Sequence, residues 1–163
     1  MDNKIQFPPT LLDRLIDEEP RRTVESFDKF FFTSRDIRSI VQRDLSDLLN
    51  CTNVERGLND DKYKAIKGSV INYGVCSLAG GYPDVHRMKY FESSIRTSIL
   101  RFETRIIPES LFVRHIVSGN EPMRNGVILF EIRGLIYWEP HPIDFHAKYG
   151  YDTEVEKVTL SRH

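Results

Sequence analysis

The sequence predicts an α+β fold, with N-terminal helices packed on a C-terminal antiparallel β-sheet, from three observations. Apolar residues recur at steps of three and four through residues 33–50 and again through 85–103. From residue 110 onward the period shortens to two, in segments divided by turn-forming residues. The helical segments all precede the strands instead of alternating with them, which points to helices on one face of an antiparallel sheet and away from βαβ units.

Each element has its own local reason. Residues 1–9 are polar and end in Pro8-Pro9, an extended lead-in. TLLDRLID (10–17) reads as a short helix capped by Thr10, with Leu11, Leu12, Leu15 and Ile16 as its apolar stripe. Two turns do not hold in water alone, so this segment must lie on its own domain or on another protein. Residues 18–32 are charged, contain Pro20 and end in three phenylalanines, a linker that becomes a docking segment. The chain thus divides into an N-terminal docking segment and linker (1–32) and one α+β domain (33–163).

In TSRDIRSIVQRDLSDLLN (33–50), Thr33 and Asp36 have the spacing of a capping box. Ile37, Ile40, Val41, Leu45, Leu48 and Leu49 form the buried stripe, Arg38, Gln42, Arg43 and Asp47 the outer face, and Asn50 the stop. Residues 51–68 are polar and fix no element; SVINYG (69–74) and a loop at 75–84 follow. Asp84 is placed to cap the second long helix, whose stripe is Val85, Met88, Phe91, Ile95, Ile99 and Phe102. That helix must end near Glu103, because Pro108 pushes the residue before it into extended geometry.

The remaining segments read as strands. SLFVRHIVS (110–118) alternates, NEPMRNG (120–126) is turn chemistry, and GVILFEIRGLIYW (126–138) is a long strand. Ile128, Phe130, Ile132, Ile136 and Trp138 share one of its sides, and Val127, Leu129, Glu131, Arg133, Leu135 and Tyr137 form a mixed one. Leu129 and Leu135 either pack beneath the last strands or face a partner. EPHP (139–142) turns the chain into two strands, 143–152 and 156–160.

Composition narrows the function classes. Lys and Arg total 23 against 24 for Asp and Glu, so net charge offers no drive toward nucleic acid or an anionic membrane. Cys51 and Cys76 read as two buried, reduced thiols, not as a disulfide scaffold. With no basic-then-apolar start and no run near the ~20 apolar residues that span a bilayer, a cytoplasmic protein is expected. LAGGY (78–82) lacks the Lys-Ser or Lys-Thr of a phosphate loop. His115, His141 and His146 do not make a zinc pattern, no nucleophile signature is present, and no cofactor is expected.

Carboxylates carry the sharper question. Glu103 and Glu131 are the two acids in apolar sequence settings, and glycoside hydrolysis needs such a pair with one pKa raised. Arg105 beside Glu103 and Arg133 on the strand face of Glu131 act in the opposite direction, keeping both ionised. No catalytic residue is therefore assigned. Glu103 and Arg105 instead sit at a helix-to-strand junction, between apolar residues, where each needs partners beyond the other.

RDLSDLLN (43–50), SVINYG (69–74), the helix closed by RFETRI (101–106) and the last strands together resemble the TssE family. These are type VI secretion baseplate subunits related to a phage-tail wedge protein once labelled a lysozyme. The similarity runs from about Thr10 to Leu160, with Thr104 where that family's Glu-Pro-Arg motif has proline. The loop from Val75 to Pro83 is also longer than the family's usual step. The resemblance implies a non-enzymatic sheath initiator with a sheath-handshake-like fold. Glu103 and Arg105 would face the wedge, alongside Leu11, Leu12, Leu15 and Ile16. It implies TssF and TssG as wedge partners, TssK nearby, and strands accepted from the sheath proteins TssB and TssC, at the cytoplasmic face of the inner membrane. The family's older label implies the alternative, a muramidase.

Overall fold

A computed structural model describes residues 10–16, 20–24, 32–54, 58, 60–77, 85–116 and 126–161. Among them are four α-helices, α1 (Leu11–Leu15), α2 (Ser34–Leu49), α3 (Asp60–Lys67) and α4 (Val85–Phe102), and four strands. The strands, β1 (Phe112–His115), β2 (Val127–Ile136), β3 (Ile143–Asp152) and β4 (Lys157–Leu160), form one antiparallel meander in the order β1-β2-β3-β4. The fold is therefore α+β, as the change of period predicts.

α2 forms as its sequence dictates. The Thr33 backbone N–H donates to Asp36 Oδ2 at 2.8 Å, and the Asp36 N–H donates back to Thr33 Oγ1 at 3.3 Å, closing the capping box. All six residues of its stripe are buried, and Asn50 ends it. α4 buries Met88, Phe91, Ile95 and Ile99, while Phe102 is half-buried against Tyr73. Both helices pack on one side of the sheet, whose inner residues are Ile128, Phe130, Ile132, Ile136, Phe145, Ala147, Tyr149 and Tyr151. Phe91 meets Phe130 edge-on at 5.6 Å, and Phe130 stacks on Tyr149 at 5.6 Å. Trp138 is half-buried at the margin of this core.

Several expectations change. The polar stretch 51–68 contains α3, which carries no apolar stripe strong enough to announce it. Among the described residues the strand expected at 110–118 is regular over Phe112–His115; it starts late because Pro108–Ser110 form a 3-10 turn, and 117–118 lie outside the described residues. Both cysteines are free, but only Cys76 is buried; Cys51 is exposed just beyond α2. Phe32 packs against the core, while Phe30, Phe31, the Asp84 cap, LAGGY and the turn at 120–125 lie outside the described residues.

SVINYG is a knot that joins α2 to α4. The Val75 N–H donates to Cys51 O, and the Asn53 N–H donates to Val75 O, each at 2.9 Å. Asn72 is fully buried; its Oδ1 accepts from the Val54 N–H at 3.1 Å and its Nδ2 donates to Lys67 O at 3.1 Å. Ser98 on α4 donates to Gly74 O at 2.6 Å. Gly74 has φ of 121°, and a Cβ there would stand 2.2 Å from Cys51 O. Both the left-handed backbone and the steric clash forbid a side chain. Gly74→Ala is expected to lower stability by about 3 kcal/mol or more in urea denaturation, with the m-value little changed.

Candidate functional site: an ionic ladder and an open strand edge

Glu103 follows the last turn of α4, where a carboxylate meets the negative end of the helix dipole, and it is only 5% exposed. Two unfavourable terms therefore act on it, and Arg105 offsets both. Arg105 Nε donates to Glu103 Oε1 at 2.7 Å and Nη2 to Glu103 Oε2 at 2.5 Å, a bidentate fork. The Arg105 backbone N–H also donates to Glu103 Oε1 at 3.1 Å, and the Ile106 N–H to Glu103 O at 3.3 Å. These bonds hold the turn around Thr104.

The network continues past the motif. Arg105 Nη2 reaches Asp44 Oδ2 on α2 at 2.5 Å. The Arg43 guanidinium bridges Asp44, at 2.8 Å, and Asp13 on α1, at 2.6 Å. Charges alternate from Glu103 through Arg105, Asp44 and Arg43 to Asp13. Burial works against the Arg105 charge, but Glu103 and Asp44 outweigh it and drive its pKa further up. Asp13 is likewise pushed up by burial, and its bonds from Arg43 and Thr10 carry it below its ordinary value. Arg105 Nη1 is buried without an acceptor among the described residues.

This ladder sets the orientation of α1. Thr10 caps that helix and is hydrogen-bonded to Asp13, and Asp13 turns inward to Arg43. The apolar stripe consequently faces out: Leu11 is 73% exposed, Leu12 50%, Leu15 73% and Ile16 52%. Sequence reasoning found both groups of residues but not their connection, since Asp13 lies in no motif and nothing in RDLSDLLN, which Arg43 and Asp44 open, links it to α1 or to Glu103.

Glu131 belongs to a separate cluster on the outer face of the sheet. It is 2% exposed, yet lies among exposed neighbours. Arg114 Nη2 donates to its Oε1 at 2.6 Å, and Arg133 Nη2 to its Oε2 at 2.8 Å, with His146 Nε2 at 3.2 Å. Burial raises its pKa, but the bonds from Arg133, Arg114 and His146 overcome this and hold it below its ordinary value. Glu103 and Glu131 therefore serve different networks, and the Glu131 shift runs opposite to that of a general acid. Among the described residues no group of His, Cys, Asp and Glu is arranged to hold a metal. His115 instead contacts Glu92 on α4, at 2.6 Å.

The rims of the sheet are treated unequally. On the β1 side, the His115 N–H donates to the Glu92 carboxylate at 2.7 Å. The end of β2 is covered by residues 105–110: the Ile107 N–H donates to Leu135 O and the Tyr137 N–H to Arg105 O, each at 2.8 Å. On the far side, Asn50 caps β4, its Oδ1 accepting from the Val158 N–H at 2.9 Å and its Nδ2 donating to Val158 O at 3.0 Å. β3 extends beyond β4, which pairs only with Tyr149–Asp152, and the Ser161 N–H adds one bond to Lys148 O. Ladder alternation then directs the backbone groups of Asp144 and His146 away from β2. Among the described residues their sole partner is Arg38, whose Nε donates to Asp144 O at 3.1 Å.

The site thus combines an outward-facing apolar helix, an ionic ladder that ties it to the domain, and a sheet rim partly uncovered among the described residues. The family model for baseplate wedge protein gp25 matches residues 35–141, more than half of the 163-residue chain, and the chain belongs to that family. The match spans α2 to β2 and includes Glu103 and Arg105, but stops short of both Thr10 and the last two strands. No curated protein and no solved structure gives a significant match. Family membership supports a structural role in a phage-tail-like baseplate.

Two outcomes follow. Arg105→Ala leaves Glu103 buried and uncompensated, and is expected to cost about 3–5 kcal/mol by chemical denaturation, far above a surface pair. Glu131 has a lowered folded pKa, so its stabilising contribution is complete above its unfolded value of 4.5 and is lost as pH falls through the folded value. Stability of the wild type and of Glu131→Gln, measured from pH 7 down to pH 2, should therefore converge below 4.5.

Proposed function

We propose that this chain is a TssE-like, non-enzymatic subunit of a type VI secretion baseplate that initiates sheath assembly by accepting a strand from a neighbour. The observation that supports this reading is the backbone of Asp144 and His146 on β3, which among the described residues meets only the Arg38 side chain. An extended segment laid there gains main-chain hydrogen bonds without disturbing the existing ladder. Sheath proteins of the TssB and TssC kind would supply that strand.

Wedge attachment falls to a separate surface, the outer side of α1. The stripe of Leu11, Leu12, Leu15 and Ile16 suits an apolar groove on TssF or TssG, with TssK adjoining the same assembly. Glu103 is too buried to meet a partner directly, so Glu103 and Arg105 act by holding α1 in place through Asp44 and Arg43. Arg105 Nη1, a buried donor without an acceptor among the described residues, is one that a wedge carbonyl would satisfy. Residues 1–32 are the docking arm and 33–163 the domain it serves. No helix among the described residues is long and apolar enough to cross a membrane, which accords with a baseplate at its cytoplasmic face.

Paired substitutions separate the two contacts in cells assembling the complete apparatus. Leu12→Glu with Leu15→Glu changes exposed positions, so stability should move by less than about 0.5 kcal/mol while co-purification with TssF and TssG is lost. His146→Pro removes an N–H that faces away from β2 and makes no bond among the described residues. Wedge binding should survive it and sheath formation should fail. Sheaths of normal length in that variant would remove the strand-addition role. Peptidoglycan release by the purified chain, abolished in Glu103→Gln, would instead favour the muramidase.

A further inference from the structure

The open stretch of β3 borders a patterned row of side chains. Register places Arg133 directly beside His146, and Phe112 beside Arg133, all on the outer face. Lys148 and Asp144 flank His146 on the same face of β3. His146 is held against Glu131 at 3.2 Å, and Arg133 grips the same carboxylate oxygen. The carboxylate of this group lies buried beneath Arg133 and His146: Glu131 has 3% of its side chain exposed, against 53% for Arg133 and 46% for His146. From the solvent side the row beside the vacant rim presents positive charge, with Asp144 as the opposing acid.

A strand added at this rim would extend that row. Its residue opposite His146 would stand about 4.5–5.5 Å away at Cβ, and the diagonal neighbours Lys148 and Asp144 about 7–8 Å. We infer that Arg133, His146 and Lys148 select an incoming strand with a carboxylate side chain opposite His146, and apolar residues on either side of it. The apolar flanks follow from β3 itself, where Phe145 and Ala147 alternate with His146 and point into the core. The inference rests on strand addition at β3 and names the chemistry of the strand.

Arg38 adds a second element. Its guanidinium occupies Asp144 O, the acceptor that an incoming backbone N–H requires. Arg38 is exposed and sits in the first turns of α2, so it can leave without opening the core. It is a removable cover on an edge that would otherwise invite unspecific pairing.

Synthetic strand peptides test both points on the full chain. Two peptides alternating valine and threonine, one centred on Glu and one on Lys, are titrated while amide protection of Asp144 and His146 is followed by hydrogen exchange. The Glu peptide is expected to bind about tenfold more tightly, as opposite against like charge beside one residue implies. That preference should fall markedly in His146→Ala/Lys148→Ala, which keeps Arg133, and Arg38→Ala should tighten both peptides by about fivefold. Equal binding of both peptides by the wild type overturns the charge selection and leaves strand addition standing. Preference undiminished in the double variant assigns selection elsewhere and overturns it too. Failure of either peptide to protect the two amides overturns strand addition itself, and the inference falls with it.

Discussion

A carboxylate buried at the C-terminal end of a helix is the constraint from which much of this structure follows. Glu103 stands at the negative pole of α4 and out of water, so an ionised partner is obligatory. Arg105 meets that need, but a half-buried guanidinium with five donors needs acceptors of its own. Asp44 supplies one, Arg43 neutralises Asp44, and Asp13 completes the series. Each member is required by the one before it. A helix too short to persist alone is thereby held to the domain with its apolar side turned outward.

The same logic of satisfied polar groups explains the sheet. Its inner face is closed by α2 and α4, and its rims are covered piecewise, by Glu92 on one side and by Asn50 on the other. The amide of Asn50 both donates to and accepts from Val158, standing in for a missing strand residue. Arg38 and Asn50, about 18 Å apart along the axis of α2, tend the β3–β4 rim at two points. At the Asn50 end a side-chain amide meets both backbone groups of Val158. At the Arg38 end, among the described residues, the cover is one exposed side chain.

Periodicity made the large elements legible. The capping box, the α2 stripe, the end of α4 and the full extent of β3 were all readable, because each depends on neighbours within a few residues. α3 was not, since its sequence is polar and its place depends on Asn72, Ser69 and the backbone around them. The mixed outer face of β2 was visible as a pattern. Its meaning was not: Glu131 is buried only because Arg114 and His146 arrive from strands on either side.

By itself, then, the sequence determined the fold class, the two amphipathic helices, the alternating strands and the pairing of Glu103 with Arg105. Local hydrogen bonding and hydrophobic period settle those within one or two turns of chain. Tertiary structure alone decided that Asp13, Arg43 and Asp44 join the motif to the N-terminal helix, which rim of the sheet stays open, and which side chains border it. Those properties arise from contacts between residues as far apart as Asn50 and Val158. No spacing rule connects such residues until the sheet and helices have packed.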